Sequence, residues 1–430
     1  MRLPFPPPAP SPVLPADTEQ PAGFSMPPLD AWLHRHQSSG AVCMTAGLLA
    51  WFEGPAPRLG ELRELVAARW GAYERLRLVA GPDRGDPRTW PWWTPAAAFD
   101  PEWHVTEGPP GGLAGVAGHL LAQPMGRDRP AWRLHLLPAA GGFALLLCCH
   151  HALLDGMSMV TLVRALLDQP TGVPGQRSLP GPAPGGPGRF AVARALADLV
   201  PRARPLPFHG PVDSRRVVSW CRVPAADLGA AREALPSGRA SANAVFLAAT
   251  AGALQAAGVT GRLRLPGVCA MVPVDVRSPG GPAPLGNHYA AVRVPLPMTG
   301  SPLRRLAAVD AFTRRAGLKR RARAQALLVA SRPHRYGAVG EALGRYADSC
   351  LYSSLLCSSL ATHAGPLGLG RARLTGIAAL PSLSPGHPVA VTMSLHDGGA
   401  TLTVVSDQGH RRIAERLPAL IGQEILALCP

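Results

Sequence analysis

Apolar residues between positions 59 and 78 recur at helical spacing (Leu59, Leu62, Leu65, Val66, Trp70, Leu76, Leu78), which predicts an amphipathic helix feeding into a strand. A second helix is expected over residues 113–122, with Pro124 to stop it. Residues 132–137 alternate apolar and polar, 139–142 read as a turn, and 143–149 run continuously apolar, so a hairpin with a buried second strand is expected. Beyond it Val160, Val163, Leu166 and Leu167 restore the helical period over 157–167. The pattern thus carries a buried strand into a helix across residues 150–156.

The same reading gives, in the second half, a strand over 217–223, a helix over 243–257, a strand over 267–273 and apolar stretches within 285–296. Residues 389–395 and 400–406 flank Asp397-Gly398-Gly399, a hairpin turn sequence, and a helix over 413–428 closes the chain. Pro- and Gly-dense segments at 169–189 and 201–212, around a short apolar helix at 190–200, mark the expected crossover. Four regions follow: a Pro-rich tail at 1–22 with too few large apolar groups to order itself, an N-terminal lobe at 23–168, a linker at 169–212 and a C-terminal lobe at 213–430.

Composition changes this picture little. At 430 residues the chain can bury a substantial core. The net charge of +16 raises a nucleic-acid reading, but 42 of the 43 basic residues are arginine, as a GC-rich coding bias produces, and no aromatic stacking platform or helix-turn-helix pattern accompanies them. The eight cysteines form no CxxC pair and no metal-ligand spacing, so reduced core residues are expected and no metal. No secretory signal is seen at the start, and the longest apolar stretches, 41–52 and 143–149, are far short of the roughly 20 residues that span a bilayer. A cytoplasmic protein is expected, with room for peripheral membrane contact.

The chemistry concentrates at the strand-to-helix junction, His150-His151-Ala152-Leu153-Leu154-Asp155-Gly156. Two histidines at the end of a buried strand, followed by a carboxylate and a glycine, are costly groups in an apolar setting. An imidazole takes and releases a proton near neutral pH, and a carboxylate holds a loop through hydrogen bonds or an ion pair. The bland reading is a pair of satisfied strand-end histidines.

This HHxxxDG segment resembles the active-site motif of the chloramphenicol acetyltransferase-like superfamily, which includes condensation domains and wax ester synthase/diacylglycerol acyltransferases. Its neighbours point to the last group. Phe99-Asp100-Pro101-Glu102-Trp103-His104-Val105 resembles that family's FDxxxHV segment, and residues 123–132, ending Arg129-Pro130-Ala131-Trp132, its PLDxxRPLW segment. Residues 271–277, ending in Arg277, and Leu285-Gly286-Asn287 resemble its MVPVxxR and LGN pair. Where the family has Asn-Asp this chain has Asn243-Ala244, and where it has SNVPGP this chain has residues 361–366.

The resemblance implies an α/β fold of mixed sheets in two lobes, with a central tunnel and His151 at its midpoint. It implies transfer of an acyl group from a coenzyme A or carrier-protein thioester to an alcohol or amine, with His151 as general base and no covalent acyl-enzyme. Asp155 would pair with an arginine, for which Arg277 is the candidate; His150 would brace the loop and Gly156 would supply tight backbone geometry. Asn287 and Thr362 are candidate oxyanion or acceptor contacts. No permanently bound cofactor is implied, the acyl thioester being a co-substrate. A free-standing condensation enzyme joining carrier-bound substrates, and a catalytically silent scaffold that binds acyl carriers, are the alternatives.

Two features stand apart. Arg314, Arg315, Lys319, Arg320, Arg321 and Arg323 lie in an expected helical stretch that could dock coenzyme A phosphates, an acidic carrier protein or anionic lipid, or could be a solvated helix face. Trp90, Trp92 and Trp93 around Pro91 could line an acceptor entrance, though a packing role suits them as well.

Overall fold

A computed structural model describes residues 23–40, 42–81, 89–96, 98–167, 200, 203–260, 267–277, 284–362 and 365–429. The tail at 1–22, nearly all of the expected helix at 190–200 and most of the expected linker lie outside them. In chain order the first half holds β1 (Phe24–Ser25), α1 (Pro28–Ser38), β2 (Thr45–Glu53), α2 (Leu59–Trp70), β3 (Leu78–Ala80), β4 (Trp92–Pro95), α3 (Pro101–His104), β5 (Val105–Glu107), α4 (Leu113–Ala122), β6 (Trp132–Ala139), β7 (Gly142–His150) and α5 (Gly156–Leu166). The second half holds β8 (Arg216–Pro224), α6 (Ala225–Glu233), α7 (Ala242–Ala256), β9 (Val268–Asp275), β10 (Tyr289–Leu296), α8 (Pro302–Ala316), α9 (Leu318–Ala330), α10 (Ala338–Ala347), β11 (Leu355–Ala361), β12 (Gly368–Leu369), β13 (Ala372–Leu380), β14 (Val389–His396), β15 (Gly399–Asp407) and α11 (Arg411–Leu426).

The described strands form two six-stranded mixed sheets, ordered β12-β13-β2-β7-β6-β5 and β10-β9-β11-β14-β15-β8, and a small sheet β1-β4-β3. This is the mixed α/β class expected from the sequence. The continuous apolar run of β7 follows from cover on both faces. Phe143, Leu145, Leu147 and Cys149 pack with α2 and α5, while Ala144, Leu146 and Cys148 pack against α4 and, from the second sheet, Val218, Ala390 and Val405.

Three differences from expectation have physical causes. The first helix stops at Trp70, with the Gly71 N–H bonded to the Ala67 carbonyl; Leu76 and Leu78 continue the apolar period through a 3-10 turn (Glu74–Arg77) and into β3. The basic run is two helices rather than one, because Gly317 adopts φ +56° between α8 and α9. The expected boundary between the lobes is crossed by the chain: after β11 it passes to the first sheet, where β13 pairs with β2 from Arg373 opposite Glu53 to Leu380 opposite Gly47, and then returns to the second sheet as β14. That crossing ties the two sheets together close to the junction at residue 150.

Candidate active site

The junction is built by backbone first. His150 ends β7 with its N–H on the Ala131 carbonyl at 2.8 Å, and His151 donates its N–H to the Met44 carbonyl at 2.8 Å. The chain then turns on the His150 carbonyl, which accepts from Leu153 at 2.9 Å. Asp155 caps α5: its Oδ1 accepts from the Ser158 N–H and hydroxyl, both at 2.8 Å, satisfying donors that a helix start leaves open. Gly156 follows. Its role is close approach rather than backbone strain, since a Cβ there would sit 3.0 Å from Leu360 Cδ1 of β11.

Arg277, just past β9, lies against Asp155. Nη2 reaches Oδ1 at 2.9 Å and Nη1 reaches Oδ2 at 3.0 Å, a two-pronged pair whose side chains are 6% and 5% exposed. The His288 N–H adds a third contact, 2.9 Å from Oδ2. Burial alone would raise the Asp155 pKa, but the charge and hydrogen bonds of Arg277, with the N–H groups of His288 and Ser158, hold it below the ordinary carboxylate value. The carboxylate is saturated, which makes it a brace between α5 and the 277–288 segment.

A second network, which the sequence did not suggest, grips the turn from the other side. Arg75 donates through Nε to the Leu153 carbonyl at 2.8 Å and through Nη2 to the Ala152 carbonyl at 2.9 Å. Asn287 Nδ2 donates to the carbonyls of His151 at 2.9 Å and Ala152 at 3.0 Å. The buried carboxylate of Asp30 organises both, accepting from Arg75 at 2.6 Å, Asn287 at 2.9 Å and the Trp93 indole at 3.2 Å. Three consecutive carbonyls after β7 are thereby fixed. Asn287 is consequently a loop clamp, not a free oxyanion donor, since the two hydrogens of its amide nitrogen already face three acceptors. Thr362 is likewise committed, its hydroxyl donating to the Leu395 carbonyl at 2.6 Å.

The two histidines have different surroundings. His150 is 5% exposed, its Nδ1 accepts the Ala152 N–H at 3.0 Å, and burial, with lesser contributions from His34, His151 and Arg127, lowers its pKa to about 3. It stays neutral at pH 7, with its proton on Nε2 by elimination. The His151 ring is half-buried, lies 5.8 Å from the Tyr289 ring, and presents a buried Nδ1 with no hydrogen-bond partner. Its backbone is held on both sides while its imidazole is left unengaged.

The sequence model for the wax ester synthase/diacylglycerol acyltransferase catalytic domain matches residues 26–264, more than half of the chain, with the junction near the middle of the match. The chain belongs to this family. Proteins carrying the name diacylglycerol O-acyltransferase in Mycobacterium tuberculosis and Mycobacterium bovis are 28% identical over 337 residues, which is 66% of this chain and 65% of theirs. The wax ester synthase/diacylglycerol acyltransferase of Marinobacter aquaeolei VT8 shares the fold with TM-score 0.65 at 18% identity, over 94% of this chain and 98% of that one. The trichothecene 15-O-acetyltransferase of Fusarium sporotrichioides aligns with TM-score 0.68 at 12% identity, over 95% of each chain. The first condensation domain of the CDA synthetase aligns with TM-score 0.60 at 17% identity, over 96% of each chain.

The other wax ester synthase-like segments build scaffold around the junction. Asp100 pairs with Arg129 at 2.6 Å, and His104 stacks on Trp132 with ring centroids 3.9 Å apart while its Nδ1 bonds the Trp132 carbonyl at 2.8 Å. The tryptophans pack: the Trp90 indole donates to the Met26 carbonyl at 2.9 Å, and Trp93 is held by Asp30. A small cavity of about 20 Å³ is bordered by His34, Gln37, Met125, Arg127 and His150. A larger one, about 530 Å³, lies at the opposite end of β7, between Glu53, Gly141, Arg222, Arg373 and Asp397. His151 lines neither of these two. Among the described residues no helix is long and apolar enough to cross a membrane.

Burial lowers the pKa of His104, His135 and His209 to about 4 each, and that of His150 to about 3. Unfolding restores them to about 6.5, so between those values the unfolded chain binds more protons. Stability is therefore complete above pH ~6.5 and lost as pH falls towards 4, by roughly 2 kcal/mol per histidine at pH 5. Thermal melts should show a marked fall in midpoint from pH 7 to pH 5. His104→Phe, which keeps the stack on Trp132, should lessen that fall by about a quarter, since it removes one of the four histidines; equal midpoints of the native chain at both pH values would contradict this account.

Proposed function

We propose that this chain transfers an acyl group from a thioester of coenzyme A or a carrier protein to a hydroxyl or amine acceptor, with His151 as general base. The observation that carries the reading is the His151 imidazole, unengaged at its ring while its backbone is fixed by Met44 and Asn287. Membership of an acyltransferase family supplies the reaction class.

In the proposed reaction a ring nitrogen of His151 takes the acceptor proton as the acceptor oxygen or nitrogen bonds to the thioester carbonyl carbon. The tetrahedral intermediate then collapses, the carbon–sulfur bond breaks, and the departing sulfur recovers the proton from the imidazolium. Proton and electron pairs balance without a covalent acyl-enzyme. The neighbouring nucleophiles fit that route: burial pushes the Cys148 thiol up to about 12 and Cys149 well above its ordinary value, and the Ser158 hydroxyl is committed to Asp155 and Gly286. Asp155 and Arg277 keep the turn in place and do not touch the reactants.

Incubation with a panel of acyl-coenzyme A and acyl-carrier donors, with mixed alcohols and amines, tests the reading through free thiol release. Thiol should appear only when an acceptor is present, and the product should be an ester or amide of that acceptor. A stoichiometric burst of thiol without acceptor would overturn direct transfer. Tight binding of donors with no turnover across the panel would favour a silent scaffold.

A further inference from the structure

Charge is distributed unevenly along this chain. Residues 301–335 hold ten arginines and lysines against one carboxylate, Asp310, so more than half of the net charge of +16 sits in under a tenth of the length. Residues 311–340 contain no Asp or Glu at all. A coding bias toward arginine does not remove carboxylates, so it leaves this segment unexplained.

Local electrostatics do not explain it either. The first turn of α9 carries Lys319, Arg320 and Arg321 with no acidic residue, although the positive end of the helix dipole disfavours cations there. Lys319 and Arg323 are four apart on the same helix, a like-charge spacing that costs further. Lys319, Arg320, Arg323 and Arg335 are exposed and make no ion pair among the described residues. By contrast Arg314, at the end of α8, pairs with Asp310 and suits the negative end of its own helix.

Among the described residues five large apolar side chains are exposed, and two of them fall in this segment or four residues past it, Leu303 at 44% and Val339 at 74%. Unpaired cations with exposed aliphatic groups suit a surface that offers both phosphate and hydrocarbon. α9 also packs on α1, the helix whose His34 and Gln37 border the small cavity at His150.

We propose that the α8–α10 segment docks this protein on an anionic phospholipid surface, with Lys319, Arg320 and Arg323 at the headgroups and Val339 at the acyl boundary. The inference does not depend on the transfer chemistry, and its test uses no turnover. The full chain is sedimented with vesicles of phosphatidylcholine alone and of phosphatidylcholine mixed with phosphatidylglycerol, at rising sodium chloride. Binding is expected only to the mixed vesicles, with release by salt. Changing Lys319, Arg320 and Arg323 together to Ala should weaken partition roughly a hundredfold. Its melting temperature should hold or rise, because the removed charges oppose the helix start. Val339→Asp should weaken partition as well. Equal binding to both vesicle types, no binding to either, an unaltered triple variant, or capture of an acidic carrier protein without vesicle binding would each overturn the proposal.

Discussion

Replacing Arg277 with Ala is expected to lower the stability of the folded chain by about 3–5 kcal/mol. The guanidinium spans Asp155, Ser158, the Gly286 carbonyl and the Pro284 carbonyl, so its loss leaves a buried carboxylate with only the Ser158 and His288 contacts. Asp155→Asn should cost less, because Arg277 keeps Asp275 at 3.0 Å and Asp275 is 39% exposed. Combining Asp155→Asn with Arg277→Met should recover much of the loss, since no unpaired charge then remains buried. The pH dependence has a fixed sign. Asp155 has a lowered folded pKa, so the pair contributes fully above the ordinary carboxylate value near ~4, and that contribution is lost as pH falls through the lower folded value. Urea titration of the three variants measures all of this. A loss below about 1 kcal/mol for Arg277→Ala, the level of an exposed pair, would contradict the picture of a buried brace.

The junction itself was legible because the apolar period changes there: alternation and then a continuous run up to Cys149, helical spacing from Met157 onward. A histidine pair and a capping carboxylate between such segments can be read without coordinates. The partner of Asp155 could not be read that way. Arg277 is 122 positions distant, and only the likeness of residues 271–277 to a family segment singled it out. Asp30 and Arg75 were invisible for a different reason: an acid in the first turn of α1 looks like an ordinary complement to the helix dipole, and nothing local says that it is 2% exposed and organises the turn after β7. β13 was not among the strands expected from the sequence: its residues 376–380 run apolar without alternation, and its partner β2 lies more than 300 residues earlier. Asn287 and Thr362 have the right chemical groups for an oxyanion, but hydrogen bonds to carbonyl oxygens had already taken their donors.

His151 carries the largest expected effect on activity. A positioned general base contributes roughly 10²–10⁴ in rate, and no neighbour is placed to substitute for it. His150 is buried and held neutral, its Nδ1 engaged by the Ala152 N–H, and the Cys148 and Cys149 thiols are pushed far from reactivity. Because the His151 ring makes no hydrogen bond to the described protein, its removal should leave the fold nearly untouched, with the Met44 and Asn287 contacts made by its backbone. The decisive measurement follows acceptor-dependent thiol release and donor binding in the same samples of native protein and His151→Ala. The account predicts turnover reduced roughly 10²–10⁴-fold with donor affinity and melting temperature unchanged; turnover that survives the substitution would contradict it.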